Sequence, residues 1–338
     1  MSLKIFNYNQ PLRLESGKEL NNLQIGYHTF GKLNAAQDNV IWVCHALTGN
    51  SDVFEWWTGL FGENQIFNAE EYFIVCANVL GSPYGTSNPL HNHPTLKQPY
   101  YLTFPEFTIR DMVTVHRLLA EELGITHIHT LIGGSLGGQQ ALEWAIIEPQ
   151  RAHNLIIVAA NAKNSPWAIA LNESQRLAIA ADRTFYAQLP TGGQRGLKAA
   201  RSMALLSYRS YQTYVRTQLD EDLNKLDNFK ASSYQSYQGE KLVNRFNAYS
   251  YWYLSKAMDS HNVGRGRGSV EDALGSIIAK TLVIGVSSDL LFPVDEQKFL
   301  ANHIPQAIYQ EIQSLYGHDG FLIETATLSF IIRQFFKQ

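Results

Sequence analysis

The sequence has little cysteine, little charge and no long apolar run, and each shortage excludes a class of protein. Two cysteines in 338 residues exclude a disulfide framework and disfavour a thiolate-ligated metal site. Both of them, Cys44 and Cys76, lie inside apolar runs, which predicts buried strand thiols. No run reaches the roughly 18 apolar residues of a membrane span. The N-terminal stretch also lacks the apolar centre and cleavage site of a signal peptide.

Charge is sparse and nearly balanced, with 27 Lys and Arg against 30 Asp and Glu and a net charge of −3. No basic block stands out, which disfavours binding to nucleic acid through a general electrostatic surface. Hydrophobic residues make up 45% of the chain, which excludes disorder as the main state. We therefore expect a cytoplasmic globular protein with neither a nucleic-acid nor a membrane partner.

Strand and helix patterns alternate along the first half of the chain. The predicted strands and helices are 23–30, 39–47, 72–80, 109–124 (helix), 126–134, 136–149 (helix) and 153–161. Strands that alternate with helices of this length are typical of a mostly parallel sheet with helices on both faces. The fold class is therefore α/β.

Only helical patterns occupy the next part of the chain, from 165 to 272, with helices predicted over 172–188, 196–219 and 240–260. This part also holds eight of the 17 tyrosines, within 208–253. The alternation then returns with a strand over 280–289, a helix over 295–304, a strand over 307–314 and a C-terminal helix. At about 150 residues per domain the length allows two domains or one domain with an insertion. The pattern favours the second: a discontinuous core of 1–164 and 273–338 with a helical lid insertion of 165–272.

The sharpest local motif is Gly133-Gly134-Ser135-Leu136-Gly137, which follows a predicted strand and precedes a predicted helix. This is the G-x-S-x-G pattern and context of a nucleophile elbow, in which small neighbours let the serine project from a tight turn. Glycine-rich packing turns also join strands to helices, so the motif alone is weak. The surrounding strand and helix favour the catalytic interpretation.

A serine nucleophile needs an acid and then a histidine downstream, each after a late strand. Asp289 ends the run over 280–289, immediately after its apolar strand residues, and His318 lies in the loop after the strand over 307–314. Taken singly, Asp289 could be a turn aspartate and His318 a surface histidine. Their order and placement together predict a Ser135–His318–Asp289 triad.

An oxyanion hole needs two N–H donors, and the residue after the nucleophile, Leu136, should supply one of them. The second should come from an earlier loop at the end of a strand. The candidate is Leu47, in the segment His45-Ala-Leu-Thr-Gly-Asn. His45 could be a second base, but we expect it to shape this loop.

Two other motifs carry no site. The run Gly264–Gly268 lacks the strand and glycine spacing of a dinucleotide fingerprint. His91 and His93 have no carboxylate or thiolate at ligand spacing, so no metal site is predicted.

A resemblance extends far beyond the G-x-S-x-G pattern. The segment GGSLGGQQALEW (133–144) resembles the GGSMGGMQALEW segment of homoserine O-acetyltransferases of the MetX type, which have the α/β-hydrolase fold. Further similar segments are 26–34, 45–49, 72–89, 104–113, 172–179, 196–210, 250–268, 285–293 and 316–322. The resemblance therefore covers nearly the whole chain, including the helical insertion.

The resemblance implies acetyl transfer from acetyl-CoA, as acyl-donor substrate, to L-homoserine, an early step toward methionine, with no permanently bound cofactor. It implies that Arg201 holds the homoserine carboxylate, that Asp319 holds its ammonium, and that Tyr208 lies near the same pocket. One cation and one anion suit a zwitterionic substrate, and the planar guanidinium of arginine can bind a carboxylate through two hydrogen bonds. From spacing alone, Arg201 could be a solvated helix residue, Asp319 a helix cap and Tyr208 a core residue. The resemblance also implies a homodimer through the lid helices.

The sequence departs from the family pattern at three places. Leu136 and Gln139 stand where the family usually has methionine, and the turn 85–89 reads Gly-Thr-Ser-Asn-Pro. Triad residues cannot separate acetyl from succinyl donors, or homoserine from serine acceptors. A carboxylesterase on the same fold and a binding protein with an idle triad are further alternatives.

Overall fold

A computed structural model describes residues 2–338, and an eight-stranded sheet forms its centre. Its strands are β1 (Lys4–Tyr8), β2 (Leu23–Phe30), β3 (Val40–Cys44), β4 (Phe73–Ala77), β5 (Ile128–Gly134), β6 (Ala152–Val158), β7 (Lys280–Val286) and β8 (Ile308–Ile312). A small hairpin of Leu12–Arg13 and Glu19–Leu20 lies apart from the sheet.

The strand order is β1-β2-β4-β3-β5-β6-β7-β8. β2 pairs antiparallel with β1 and β4, and all later pairs are parallel. The predicted mostly parallel sheet is confirmed, although no sequence pattern predicted β1. That edge strand is largely exposed, so it lacks the continuous apolar run that marks the buried strands.

Side chains alternate between the two faces of the buried strands, as the two-residue strand repeat requires. In β3, Trp42 joins one apolar cluster, while Ile41 and Val43 join the other. Helix residues such as Met112 and Leu142 complete the first cluster, and C-terminal residues such as Leu328 complete the second. Helices therefore cover both faces of the sheet. Cys44 and Cys76 are buried free thiols within β3 and β4, as predicted.

Twelve α-helices lie within residues 2–338. They are α1 (Val53–Trp56), α2 (Ile109–Glu122), α3 (Leu136–Ile147), α4 (Pro166–Ala181), α5 (Gln194–Tyr208), α6 (Tyr211–Gln218), α7 (Lys230–Val243), α8 (Ala248–Asp259), α9 (Val270–Gly275), α10 (Val294–His303), α11 (Gly320–Ile323) and α12 (Thr325–Lys337). Short 3-10 turns occur at Tyr101–Thr103, Arg183–Ala187 and Gly317–Asp319. None of these helices is long and apolar enough to cross a bilayer.

Helices α4–α8 lie between β6 and β7, and we call them the helical segment. The sequence patterns predicted one helix over 196–219, but the structure divides it into α5 and α6. The reason is local: the Ser210 side chain accepts a hydrogen bond from the Thr213 N–H and so begins a new helix. Asn247 caps α8 in the same way through the Ser250 N–H. The predicted C-terminal helix is also two helices in the structure, because Glu324 separates α11 from α12.

Candidate active site

Ser135 occupies a strained turn between β5 and α3. Its φ of 56° and ψ of −127° lie outside the ordinary regions for a residue with a side chain. The Ser135 N–H donates to the Val158 carbonyl at 3.0 Å, and the Ser135 carbonyl accepts from Gln139 N–H at 3.1 Å. The end of β6 and the first turn of α3 thus hold the strained residue in place.

The glycines around Ser135 are required by close packing. A Cβ on Gly133 would lie 2.2 Å from the Gly137 carbonyl oxygen, and one on Gly137 would lie 2.0 Å from the Cys44 carbonyl oxygen. A Cβ on Gly134 would meet the Phe321 ring at 2.6 Å. Only glycine at these positions allows α3 to begin directly against the end of β3.

The three predicted triad residues meet at the carboxyl ends of β5, β7 and β8. His318 Nδ1 donates to Asp289 Oδ2 at 2.6 Å, and Ser135 Oγ donates to His318 Nε2 at 2.8 Å. Asp289 Oδ1 accepts from the N–H groups of Leu291 and Phe292 at 2.8 and 2.9 Å. The carboxylate is therefore fixed on both oxygens and fixes the histidine tautomer, which leaves Nε2 free to accept the serine proton.

The surroundings of His318 favour its protonation. Burial alone would lower the pKa of His318, but the charge and hydrogen bond of Asp289 and the charge of Asp319 raise it above the usual 6.5. Rings of Tyr208, Phe292 and Phe321 surround the imidazole with centroids 5.8, 5.4 and 5.4 Å away. The histidine can therefore take up a proton in a site shielded from water.

The two N–H groups predicted for the oxyanion hole are unused. Neither Leu47 nor Leu136 donates a backbone hydrogen bond to another part of residues 2–338. Leu136 begins α3, where the N–H has no intrahelical acceptor. Gln140 Nε2 donates to the His45 carbonyl at 3.2 Å and to the Leu136 carbonyl at 3.0 Å, which joins the two loops.

His45 has the geometry of a structural residue. It is fully buried, and burial lowers its pKa to about 4, so it is neutral at pH 7. Its Nε2 accepts from the Val79 N–H at 3.0 Å, and its Nδ1 donates to the Ala46 carbonyl at 2.8 Å. Both ring nitrogens are occupied in tying the Leu47 loop to the end of β4, which favours the shaping role predicted for it.

Arg201 and Tyr208 lie together on α5 beside the triad. The Arg201 guanidinium carbon is 5.2 Å from the centroid of the Tyr208 ring, and that ring contacts His318. Arg201 makes no ion pair with any residue of 2–338, although it is only partly exposed. An unpaired cation on the face of an aromatic ring that itself contacts His318 is suited to bind an anionic group.

Asp319 is adjacent to His318 but already has a partner. Arg209 Nε lies 3.0 Å from Asp319 Oδ2, and both side chains are mostly buried. The family resemblance implies a role for Asp319, whereas no motif in the sequence points to Arg209. The structure thus places a carboxylate next to the triad, held from the start of the turn after α5.

His91 and His93 lie apart from the triad on the loop after β4. The His93 Nδ1 accepts from the N–H groups of Thr95 and Leu96 at 3.2 and 3.3 Å, as a loop residue does. Within residues 2–338 no three His, Cys, Asp or Glu side chains are grouped as metal ligands.

Known proteins resemble the chain along its whole length. A family profile described as the alpha/beta hydrolase fold matches residues 39–325. A homoserine O-acetyltransferase of Cyclobacterium marinum is 50% identical over 338 residues, covering 100% of this chain and 96% of its own. The chain belongs to the homoserine O-acetyltransferase family.

Solved structures of this family and of esterases share the architecture. A crystal structure of homoserine O-acetyltransferase from Staphylococcus aureus is 30% identical, with a TM-score of 0.84, covering 100% of this chain and 95% of its own. Esterase E22 is 23% identical with a TM-score of 0.90 and covers 99% of each chain, which shows the fold alone. The expected α/β-hydrolase fold is confirmed.

In this homoserine O-acetyltransferase fold, two further sets of contacts join the helical segment to the loops of the site, and no sequence motif predicts either of them. Arg245, between α7 and α8, donates to the Thr48 carbonyl at 2.6 Å, next to Leu47. Ser210 and Thr213 both donate to the Leu315 carbonyl, near His318. The only local sequence signal for the second set of contacts was Ser210, because serine is a favoured N-cap residue and here lies inside a helical pattern.

Proposed function

We propose that this protein is a homoserine O-acetyltransferase that moves an acetyl group from acetyl-CoA to the hydroxyl of L-homoserine. The observation that carries the proposal is an unpaired arginine, Arg201, on the Tyr208 ring that contacts His318, together with the Asp319 carboxylate directly after His318 in the chain. A free amino acid presents one carboxylate and one ammonium, so it needs one cation and one anion to orient it. The names of the similar proteins supply the identity of the donor group and the acceptor.

In the first half-reaction Ser135 attacks the acetyl thioester while His318 Nε2 takes the serine proton. The N–H groups of Leu47 and Leu136 hold the oxyanion of the tetrahedral intermediate. When that intermediate collapses, the carbon–sulfur bond breaks, and His318 returns the proton to the CoA thiolate. Asp289 stabilises the imidazolium through the 2.6 Å hydrogen bond throughout.

In the second half-reaction homoserine enters with its carboxylate on Arg201 and its ammonium toward Asp319, beside Tyr208. His318 takes the proton of the homoserine hydroxyl as the oxygen attacks the acetyl-serine carbonyl. Collapse of the second intermediate releases O-acetylhomoserine, and His318 reprotonates Ser135. The mechanism is ping-pong, because CoA leaves before homoserine reacts.

Residues 165–272 act in this proposal as a lid on a core formed by 1–164 and 273–338. The acetyl-serine must meet homoserine and not water, and Ser135 is only 5% exposed. The α5 residues Arg201 and Tyr208 come from this segment, so it supplies acceptor contacts as well as cover.

The same segment is proposed to form a homodimer surface. Nine of the 21 large apolar side chains that are exposed in residues 2–338 lie between positions 203 and 237. They are Met203, Leu206, Tyr211, Val215, Leu219, Leu223, Leu226, Phe229 and Tyr237. Such a concentration is typical of a surface that a partner covers. Sedimentation at micromolar concentration should show a dimer, and a single monomeric species would contradict this.

The proposal is tested by measuring CoA release with each donor and acceptor in turn. We expect CoA release from acetyl-CoA to continue only with L-homoserine, and to be much slower with succinyl-CoA or with L-serine. Continuous CoA release without any acceptor, or faster hydrolysis of a simple acetyl ester than transfer, would favour an esterase. Faster release with succinyl-CoA would assign a different acyl donor to the same site.

A further inference from the structure

The turn that joins α5 to α6 touches the loop that carries His318 on both sides of that residue. We call residues 315–319 the histidine loop. Before His318, the hydroxyls of Ser210 and Thr213 both donate to the Leu315 carbonyl, the second at 2.5 Å. After His318, Arg209 Nε lies 3.0 Å from Asp319 Oδ2. Arg209 and Ser210 of the turn and Thr213 of the first turn of α6 therefore all contact one short loop.

Backbone packing brings the turn and the loop into direct contact between these side-chain contacts. Gly317 has a φ of 63°, and a Cβ at this position would lie 2.9 Å from both the Tyr208 carbonyl oxygen and the Arg209 carbonyl carbon. The end of α5 thus lies against the residue that precedes His318. From the core, Ser288 Oγ accepts from the Gly317 N–H at 2.9 Å. The loop is held between the core and the helical segment.

Both hydroxyls that reach Leu315 are buried, at 4% exposure for Ser210 and 7% for Thr213. Ser210 Oγ also accepts from the Thr213 N–H at 3.1 Å, so the first turn of α6 and the Leu315 carbonyl share one hydrogen-bond cluster. A buried cluster of this kind has a single favourable arrangement, because an unpaired buried hydroxyl is costly. Movement of α6 would therefore move the histidine loop.

The His318 imidazole must be held in position for both of its hydrogen bonds to persist. Its two ring nitrogens must stay at 2.6 and 2.8 Å from Asp289 and Ser135 at the same time. A displacement of about 1 Å can lower a rate by about 100-fold, because both hydrogen bonds lose their alignment. From the core, Ser288 accepts from the Gly317 N–H and Ser314 accepts from the Tyr316 N–H, and neither contact holds the Leu315 carbonyl or the Asp319 carboxylate.

We propose that Arg209, Ser210 and Thr213 are positioning residues that hold His318 between Ser135 and Asp289. The helical segment then sets the geometry of the base in addition to covering the site and binding the acceptor. This inference rests on the proposed role of His318 as the base. It does not depend on which acyl donor or acceptor the protein uses.

Thr213→Val tests the proposal, because it removes the hydroxyl and keeps the shape of the side chain. Thr217→Val is the matched control: its hydroxyl donates to the Thr213 carbonyl one turn earlier on α6 and accepts from the Gln218 side chain, and neither partner belongs to the histidine loop. The main measurement is the rate at which a fluorophosphonate labels Ser135, which requires His318 but neither acetyl-CoA nor homoserine. It is followed by kcat and the KM for homoserine, across pH.

We expect Thr213→Val to slow labelling and to lower kcat by about tenfold, while the KM for homoserine stays within about twofold. Thr213→Ser should restore both rates, and Thr217→Val should leave them unchanged. If Thr213→Val does not fold, Arg209→Gln serves in its place, and slower labelling is again expected. Labelling rates within about twofold of the wild type in every variant that folds would overturn the proposal.

The two proposals fail separately in this experiment. If the wild type shows no homoserine-dependent CoA release but Thr213→Val still slows labelling, the proposed acceptor is wrong and the positioning role stands. If the wild type transfers acetyl groups but Thr213→Val labels like Thr217→Val, the positioning role is wrong and the function stands.

Discussion

The core and the helical segment contribute different parts of one site. Core strands β3, β5, β7 and β8 end in the loops that carry Leu47, Ser135, Asp289 and His318, and these positions are almost fully buried. The helical segment contributes Arg201 and Tyr208 and carries many exposed apolar side chains. The proposed function divides along the same line, with the covalent chemistry assigned to the core and the acceptor contacts and the dimer surface assigned to the helices.

Ser135→Ala, a substitution in the core, should have the largest effect. Without the nucleophile no acetyl-enzyme forms, so homoserine-dependent CoA release should fall by about 10⁴-fold or more. Fluorophosphonate labelling should be lost completely, while circular dichroism and thermal unfolding stay close to the wild type. Substantial remaining transfer would mean that the acetyl group passes directly from donor to acceptor.

Gly137→Ala should disrupt the elbow without touching a reacting atom. The new Cβ would lie 2.0 Å from the Cys44 carbonyl oxygen, so α3 or β3 must move, and we expect a loss of about 3 kcal/mol or more in the free energy of unfolding. Gly275→Ala in α9 is the control, because nothing lies within 4 Å of its Cβ. Equal unfolding midpoints in denaturant for the two variants would contradict this packing argument.

Arg201→Gln tests the acceptor-binding role proposed for the helical segment. Loss of a charge-assisted bond to the homoserine carboxylate should lower kcat/KM for homoserine by about 30-fold, mainly through KM. Labelling of Ser135 should persist, because the triad is intact. Arg195→Gln, an exposed position on the same helix, should have no effect. If Arg201→Gln lowered the rate of Ser135 labelling as much as it lowered kcat/KM for homoserine, the arginine would support the triad and not the binding of homoserine.

The pH dependence of labelling should show the smallest effect. His318 acts as a base only when it is neutral, and Asp289 and Asp319 raise its pKa above 6.5 against the effect of burial. Labelling should therefore fall as the pH decreases, with a midpoint above 6.5. Asp319→Asn removes one of the raising charges, so the midpoint should move to lower pH. An unchanged midpoint would show that Asp319 does not act on His318.

The sequence predicts the core well because its signals are local. The apolar run of β3 and the strand–Gly–Gly–Ser–helix pattern around Ser135 each lie within about ten residues. Contacts between the core and the helical segment, such as Arg209 with Asp319 and Thr213 with Leu315, join positions about 100 residues apart, so no local pattern predicts them. The resemblance to a family supplied Arg201, which spacing alone left as an ordinary helix residue.

The central claim is that an acetyl group rests on Ser135 between donor and acceptor. Mass spectrometry of the intact protein, mixed with acetyl-CoA and no homoserine, tests it most directly. The account predicts one acetyl adduct per chain, located on Ser135 by peptide analysis and removed when L-homoserine is added. An unmodified protein that still transfers acetyl groups to homoserine, or an adduct on another residue, would contradict the account.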